Sequence, residues 1–173
     1  MSDMIIPLHG LSKGRQEFEF KLDDGFLDEF GKGVVNGVSG TAHFAVERKG
    51  SWIEIECVIE GSAKVECDRC LEDLYLPVDS RQCLTVRFDE NPEEVVNDDD
   101  DTIILMDGTS EVDMGQTVYD FICLSLPLQK VHPEGECNME TISRIAGNGG
   151  EEAPSQGNTP FSGLKDLLKE SKR

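Results

Sequence analysis

Four soft side chains in two separated segments constrain this chain more than any other feature. Cys67-Asp-Arg-Cys70-Leu71 supplies two thiols, and His132-Pro-Glu-Gly-Glu-Cys137 supplies an imidazole and a third thiol. Three Cys and one His are a ligand set that suits a tetrahedral zinc. Residues 72–131 lie between the two segments, so only a folded domain can bring them together. Apart, Cys67 and Cys70 are a loose dithiol.

The sequence around the first pair alternates with a period of two, the signature of half-buried strands. Phe18, Phe20 and Leu22 share one side, with Glu17, Glu19 and Lys21 opposite. Ala42, Phe44 and Val46 repeat the pattern within Val38 to Arg48. Lys49-Gly50-Ser51 reads as a tight hairpin turn. Ile53, Ile55, Cys57 and Ile59 then alternate with glutamates until Gly61-Ser62, which reads as an interruption. Ala63, Val65 and Cys67 carry the same parity into the cysteine pair. Leu74, Leu76 and Val78, and then Leu84, Val86 and Phe88, suggest two further strands. Thr102 to Met106 and Glu111 to Met114 suggest two short ones. Phe26, Leu27 and Phe30 fit one helical turn or a packed loop.

Tyr119, Ile122, Cys123 and Leu126 fall at helical spacing within Gly115 to Leu126. This helix is apolar most of the way round, so it is expected to be the core helix, ended by Pro127. The fold class is therefore α+β: an antiparallel β meander or partly closed barrel-like sheet packed by a core helix, with a flexible C-terminal tail ending in a short helix. Residues 1–145 are expected to form one domain, 146–158 a Gly, Glu and Ser-rich linker, and 159–173 an amphipathic tail helix. Leu164, Leu167 and Leu168 form the apolar stripe of that tail, among lysines. So short a helix is marginal alone in water, so the stripe needs something to dock on, its own domain or a partner.

Asp and Glu number 35 against 16 Lys and Arg, a formal net charge of -19. Such a surface repels phosphate backbones and favours basic protein partners. Residues 89–101 carry eight acids and no base, which reads as a solvated acidic loop. They lack the alternating ligands and mid-loop glycine of a calcium-binding EF-hand. No run approaches the length of a membrane span, and the N-terminal apolar run is short and follows an acid, unlike a secretory signal. A cytoplasmic protein is expected, in which six cysteines act as thiols or metal ligands rather than as a disulfide framework.

Cys-x-x-Cys also serves thiol–disulfide exchange, so a redox protein using Cys67 and Cys70 is the alternative reading. That chemistry usually places the pair at a helix start in a βαβ setting, whereas here it sits between strands. Pro133 and Gly135 suit a turn that points His132 and Cys137 the same way. Cys57 and Cys123 fall on apolar faces and read as small buried hydrophobes. Cys83 is ambiguous, since Thr85 and Arg87 share its face. Arg69 could balance a thiolate or pair with an acid. No glycine-rich phosphate loop or nucleophile elbow is present, and no small-molecule substrate is evident, so no enzymatic activity is expected.

The chain resembles the YceD family, the large ribosomal RNA subunit accumulation proteins. The residues that carry the likeness are Cys67-Asp-Arg-Cys70-Leu71, Leu124-Ser-Leu-Pro127-Leu, Val131-His132 with Cys137, and Asn158-Thr-Pro160-Phe161 ahead of Leu164, Leu167 and Leu168. The likeness runs over roughly residues 15 to 173. Many members carry Cys at both downstream positions, where this chain has His132 first. The resemblance implies a role in accumulation or processing of 23S ribosomal RNA, hence in ribosome assembly, and supplies no catalytic residues. Combined with the charge, it implies a basic ribosomal protein or assembly factor as partner, with precursor RNA touched indirectly. A non-catalytic zinc-stapled interaction module is a further alternative.

Overall fold

The computed structural model describes residues 4–11, 14–30, 33–95 and 101–148. The chain divides into two compact units, Met1–Cys137 and Asn138–Arg173. In the first unit the strands are β1 (Ile5–Pro7), β2 (Arg15–Leu22), β3 (Gly37–Lys49), β4 (Trp52–Glu66), β5 (Asp73–Asp89), β6 (Thr102–Met106) and β7 (Glu111–Asp113). One helical turn, α1 (Asp24–Leu27), follows β2, and α2 (Gly115–Ser125) follows β7. The class is α+β, as the alternation and the single helical period require.

Strands β2 to β6 form one sheet in sequence order, and β1 pairs with β7 in a second, two-stranded sheet. The meander is antiparallel through β5, but β6 pairs with β5 in parallel. The sheet is therefore mixed and open, with β2 and β6 at its edges, and not a barrel. Thr102, which opens β6, lies opposite Thr85, and residues 90–101 separate the two strands in sequence, enough for a parallel pairing, which needs a connection of about a dozen residues. The carbonyl of Asp101 accepts from the Thr85 amide at 2.8 Å where the two strands join.

Two expected breaks are absent. β4 runs through Gly61-Ser62, and β5 runs from Asp73 to Asp89 where two strands were expected. Gly61 lies opposite Gly40, and a Cβ on either would collide with the backbone of the facing strand. These glycines serve close cross-strand approach rather than a turn. In β5 the polar run Asp79-Ser80-Arg81 keeps its register against Glu60, Ile59 and Val58, with Ser80 buried. Pro77 is tolerated because β6 pairs only with Thr85–Asp89, which leaves that part of β5 at an edge.

One face of the sheet is apolar, built from Phe44, Val46, Ile53, Ile55, Ile59 and Val86, all fully buried. Val118 and Ile122 of α2, Ile6 of β1 and the flanking Met4 and Leu8 complete this core. The α2 helix packs on β4 and β5. It stops at Ser125 because Leu126, which precedes Pro127, is forced into the extended region (φ -76, ψ 144). Leu124 on this helix is 78% exposed, so α2 is less enclosed than its all-round apolar sequence suggested. In the second unit, α3 (Met139–Asn148) is capped by Asn138, whose Oδ1 accepts from the amides of Glu140 (2.9 Å) and Thr141 (3.4 Å). Strand β1 and helix α3 are the elements that the sequence analysis did not anticipate.

A cysteine and histidine knuckle as candidate metal centre

The end of β4 delivers Cys67 to the sheet corner, and a tight turn brings Cys70 back beside it. The Leu71 amide donates to the Cys67 carbonyl (2.9 Å), and the Cys67 amide donates to the Glu72 carbonyl (2.9 Å). Closing so short a turn puts Leu71 in the left-handed region at φ 61, the sole non-glycine residue with positive φ among those described. The second half arrives from α2. Asp68 and Lys130 exchange hydrogen bonds: the Asp68 amide to the Lys130 carbonyl (2.7 Å), and the Lys130 amide to Asp68 Oδ2 (2.7 Å). Beyond it, the Glu136 amide donates to the Pro133 carbonyl (3.1 Å), with Gly135 at φ 90, a type II turn that swings Cys137 under His132.

The structure brings together the sulfurs of Cys67, Cys70 and Cys137 and a ring nitrogen of His132, all within 4.8 Å of one another. Cys67 and Cys137 Sγ are 3.9 Å apart, and His132 Nδ1 is 3.4 Å from Cys70 Sγ and 4.0 Å from Cys137 Sγ. A disulfide needs about 2.05 Å. Tetrahedral thiolates around zinc at about 2.3 Å stand about 3.8 Å apart, close to the separation seen here. All six cysteines are free.

The hydrogen bonding fixes the histidine tautomer. His132 Nε2 lies 3.1 Å from the Asp73 carbonyl, which can only accept, so Nε2 carries the proton. In the neutral ring the Nδ1 lone pair then faces the sulfurs, the arrangement in which a backbone carbonyl orients a metal-binding imidazole. Cys67 is prepared to ionise. Burial pushes its thiol pKa up, but the backbone amides of Cys70, Arg69 and His132 point at the sulfur and bring it down to about 6. The Cys67 sulfur in turn raises His132 above its ordinary value, against a smaller loss to burial. Cys137 is raised, by burial first and then by the neighbouring sulfurs. One sulfur is thus ready to ionise while Cys137 is held as a thiol, and the four donors converge on a pocket whose three sulfurs and one imidazole suit a divalent cation such as zinc.

The other thiols stand apart. Cys57 is buried on the core face and pushed up to about 12 by burial. Cys123 is half-buried, short of the full burial expected of it, and raised chiefly by burial. Cys83 is exposed, 3.8 Å from Glu54. Arg69 is exposed and offers its backbone amide to Cys67. The stripe Leu164, Leu167 and Leu168 lies outside the described residues. On the open sheet face, Glu56 is held between Arg15 (2.7 Å) and Arg81 (3.8 Å) along a groove of about 410 Å³. These three residues come from separate strands and meet only through the register, so no sequence spacing announces them. Among the described residues no helix is long and apolar enough to cross a membrane.

Fold and corner together define an open α+β sheet protein whose longest strands are tied at one end by a cysteine and histidine knuckle. A family model described as large ribosomal RNA subunit accumulation protein YceD matches residues 55–168, about two thirds of the chain. The chain belongs to this family. The match begins inside β4 and takes in both halves of the knuckle and the whole of α2. No curated protein and no solved structure matches the chain.

Proposed function

We propose that this protein is a non-catalytic accessory factor of the cytoplasm that promotes accumulation or processing of large-subunit (23S) ribosomal RNA. The observation that carries this reading is the family match, which spans the knuckle. In this account Cys67, Cys70, His132 and Cys137 hold one zinc ion that staples the sheet corner, and zinc is favoured by three thiolates with one imidazole. The metal is structural, because four protein donors fill a tetrahedron and leave no position for substrate.

Contact with the precursor runs through a basic ribosomal protein or assembly factor rather than bare RNA, because a chain of net charge -19 repels phosphates and attracts cationic surfaces. The stripe Leu164, Leu167 and Leu168 is a second proposed anchor for such a partner. The redox alternative is less well supported: Cys67 and Cys70 are 0% and 2% exposed, and exchange requires a partner thiol to reach a sulfur.

The test is gradient sedimentation of lysate from cells lacking the protein, with probes for the large-subunit precursor RNA. Loss of mature large subunits with build-up of unprocessed RNA is expected. An unchanged ribosome profile would contradict the proposal.

A further inference from the structure

Three leucines at the knuckle corner stand in solvent: Leu71 is 66% exposed, Leu124 78% and Leu128 104%. Leu71 follows Cys70 directly. Leu128 lies two residues before Lys130, whose backbone is bonded to Asp68 of the same turn, and Leu124 sits on the last turn of α2 just ahead of it. Single exposed leucines are ordinary, but these three all lie on the two segments that the Asp68–Lys130 hydrogen bonds join.

Leu71 carries a further mark. Its φ of 61 belongs to a region where glycine or asparagine is the usual occupant. The side chain is strained and buries little, so it serves the fold poorly on both counts. A residue that opposes its own local conformation and leaves most of its side chain in solvent points to a contact outside the fold.

The rim of this corner is acidic. Glu66, Asp68, Glu134 and Glu136 are exposed around it. Of the nearby bases, Lys64 and Lys130 are already engaged, with Asp73 at 2.8 Å and Asp68 at 3.6 Å, and exposed Arg69 leaves the four acids in excess. Three thiolates around a divalent ion would add one more negative charge. Phosphates would meet repulsion here, and a second copy would set acid against acid.

We infer that Leu71, Leu124 and Leu128, within their acidic rim, form the docking surface for a basic amphipathic segment of a partner protein. Apolar side chains of the segment cover the leucines, and flanking Lys or Arg meet the rim. This inference rests on the protein-mediated contact proposed above and assigns the surface that makes it.

The test uses the full, zinc-loaded chain and precursor large-subunit particles purified from cells lacking the protein, pelleted together through a sucrose cushion. Wild type should pellet with the particles. The pair Leu124→Gln and Leu128→Gln should lower the bound fraction by about tenfold, as truncated interface anchors do. Leu71→Asn should lower it several-fold although its melting temperature does not fall, which separates docking from folding. A photoreactive phenylalanine analogue replacing Leu128 should cross-link to a basic protein of the particle. Wild-type pelleting with undiminished binding by both variants would overturn the surface and leave the proposed function standing. Cross-links to RNA or to a second copy would overturn the assigned partner. Failure of wild type to pellet would remove the protein-mediated contact and this surface with it.

Discussion

Cys67 is a thiol that the surrounding backbone prepares to lose its proton. Burial alone would make it inert, as it does Cys57, and the difference lies in three amides aimed at one sulfur. Alkylation followed by mass spectrometry at pH 8 reads this contrast. In the zinc-loaded protein, exposed Cys83 should modify first, and Cys57 should resist until the sheet unfolds. Cys57 also sets a limit in alkali. Its native value of about 12 lies above the ordinary value of 9.0, so the unfolded chain ionises first. Its contribution to stability is therefore full below pH 9.0 and is lost as pH rises from there towards about 12. Urea midpoints across that range should fall, and less steeply in Cys57→Ala. Leu71→Asn tests the strain at the knuckle. Asparagine tolerates the left-handed region and little burial is lost, so a stabilisation of about 0.5–1 kcal/mol is expected from denaturant melts. A loss of stability there would mean that Leu71 packs on something inside the fold.

At the scale of elements, parity was the most legible property of the sequence. The odd positions from Ile53 to Cys67 and the even positions from Leu74 to Phe88 each keep one face across a polar or glycine interruption, and each is one strand. Taking Gly61-Ser62 as an interruption, and Leu74 to Val78 and Leu84 to Phe88 as two strands, gave weight to residue type over phase. Met4, Ile6 and Leu8 carry the same parity into the core, yet the run is too short to stand out before β7 supplies its partner. The Asn138 cap of α3 was visible as a residue but not as a role. The parallel β5–β6 pair was not legible at all, since alternation within a strand does not encode the direction of its neighbour. The knuckle was legible in ligand type; its geometry depends on Asp68 and Lys130, whose pairing no spacing reveals. Two substitutions test this level. Gly61→Ala should cost about 1–3 kcal/mol by urea denaturation, because the new methyl meets the Ser39 carbonyl of β3. Ile122→Ala should cost about 2–5 kcal/mol, whereas Leu124→Ala, on the same helix but in solvent, should stay within about 0.5 kcal/mol. Equal costs would mean that α2 packs by another face.

For the whole molecule, the knuckle joins two segments that the chain keeps far apart, β4 with its turn and the residues after α2. A metal there would stabilise the folded chain over the unfolded one by its binding free energy, and chelation would release that corner first. In the proposed function the charge acts at the same scale, since a net charge of -19 would keep nucleic acid at a distance and speed encounter with cationic proteins. Purified protein should accordingly show no tight binding of naked large-subunit RNA at physiological salt in a filter assay; saturable, salt-resistant binding would contradict protein-mediated contact. The most direct measurement of the central claim is the metal content of the full chain, purified without chelator, by native mass spectrometry and elemental analysis. One zinc per chain is predicted, lost in Cys137→Ser together with thermal stability. Well under one zinc per chain, with a melting temperature indifferent to chelator, would contradict the account and reduce the knuckle to a packed cluster of thiols.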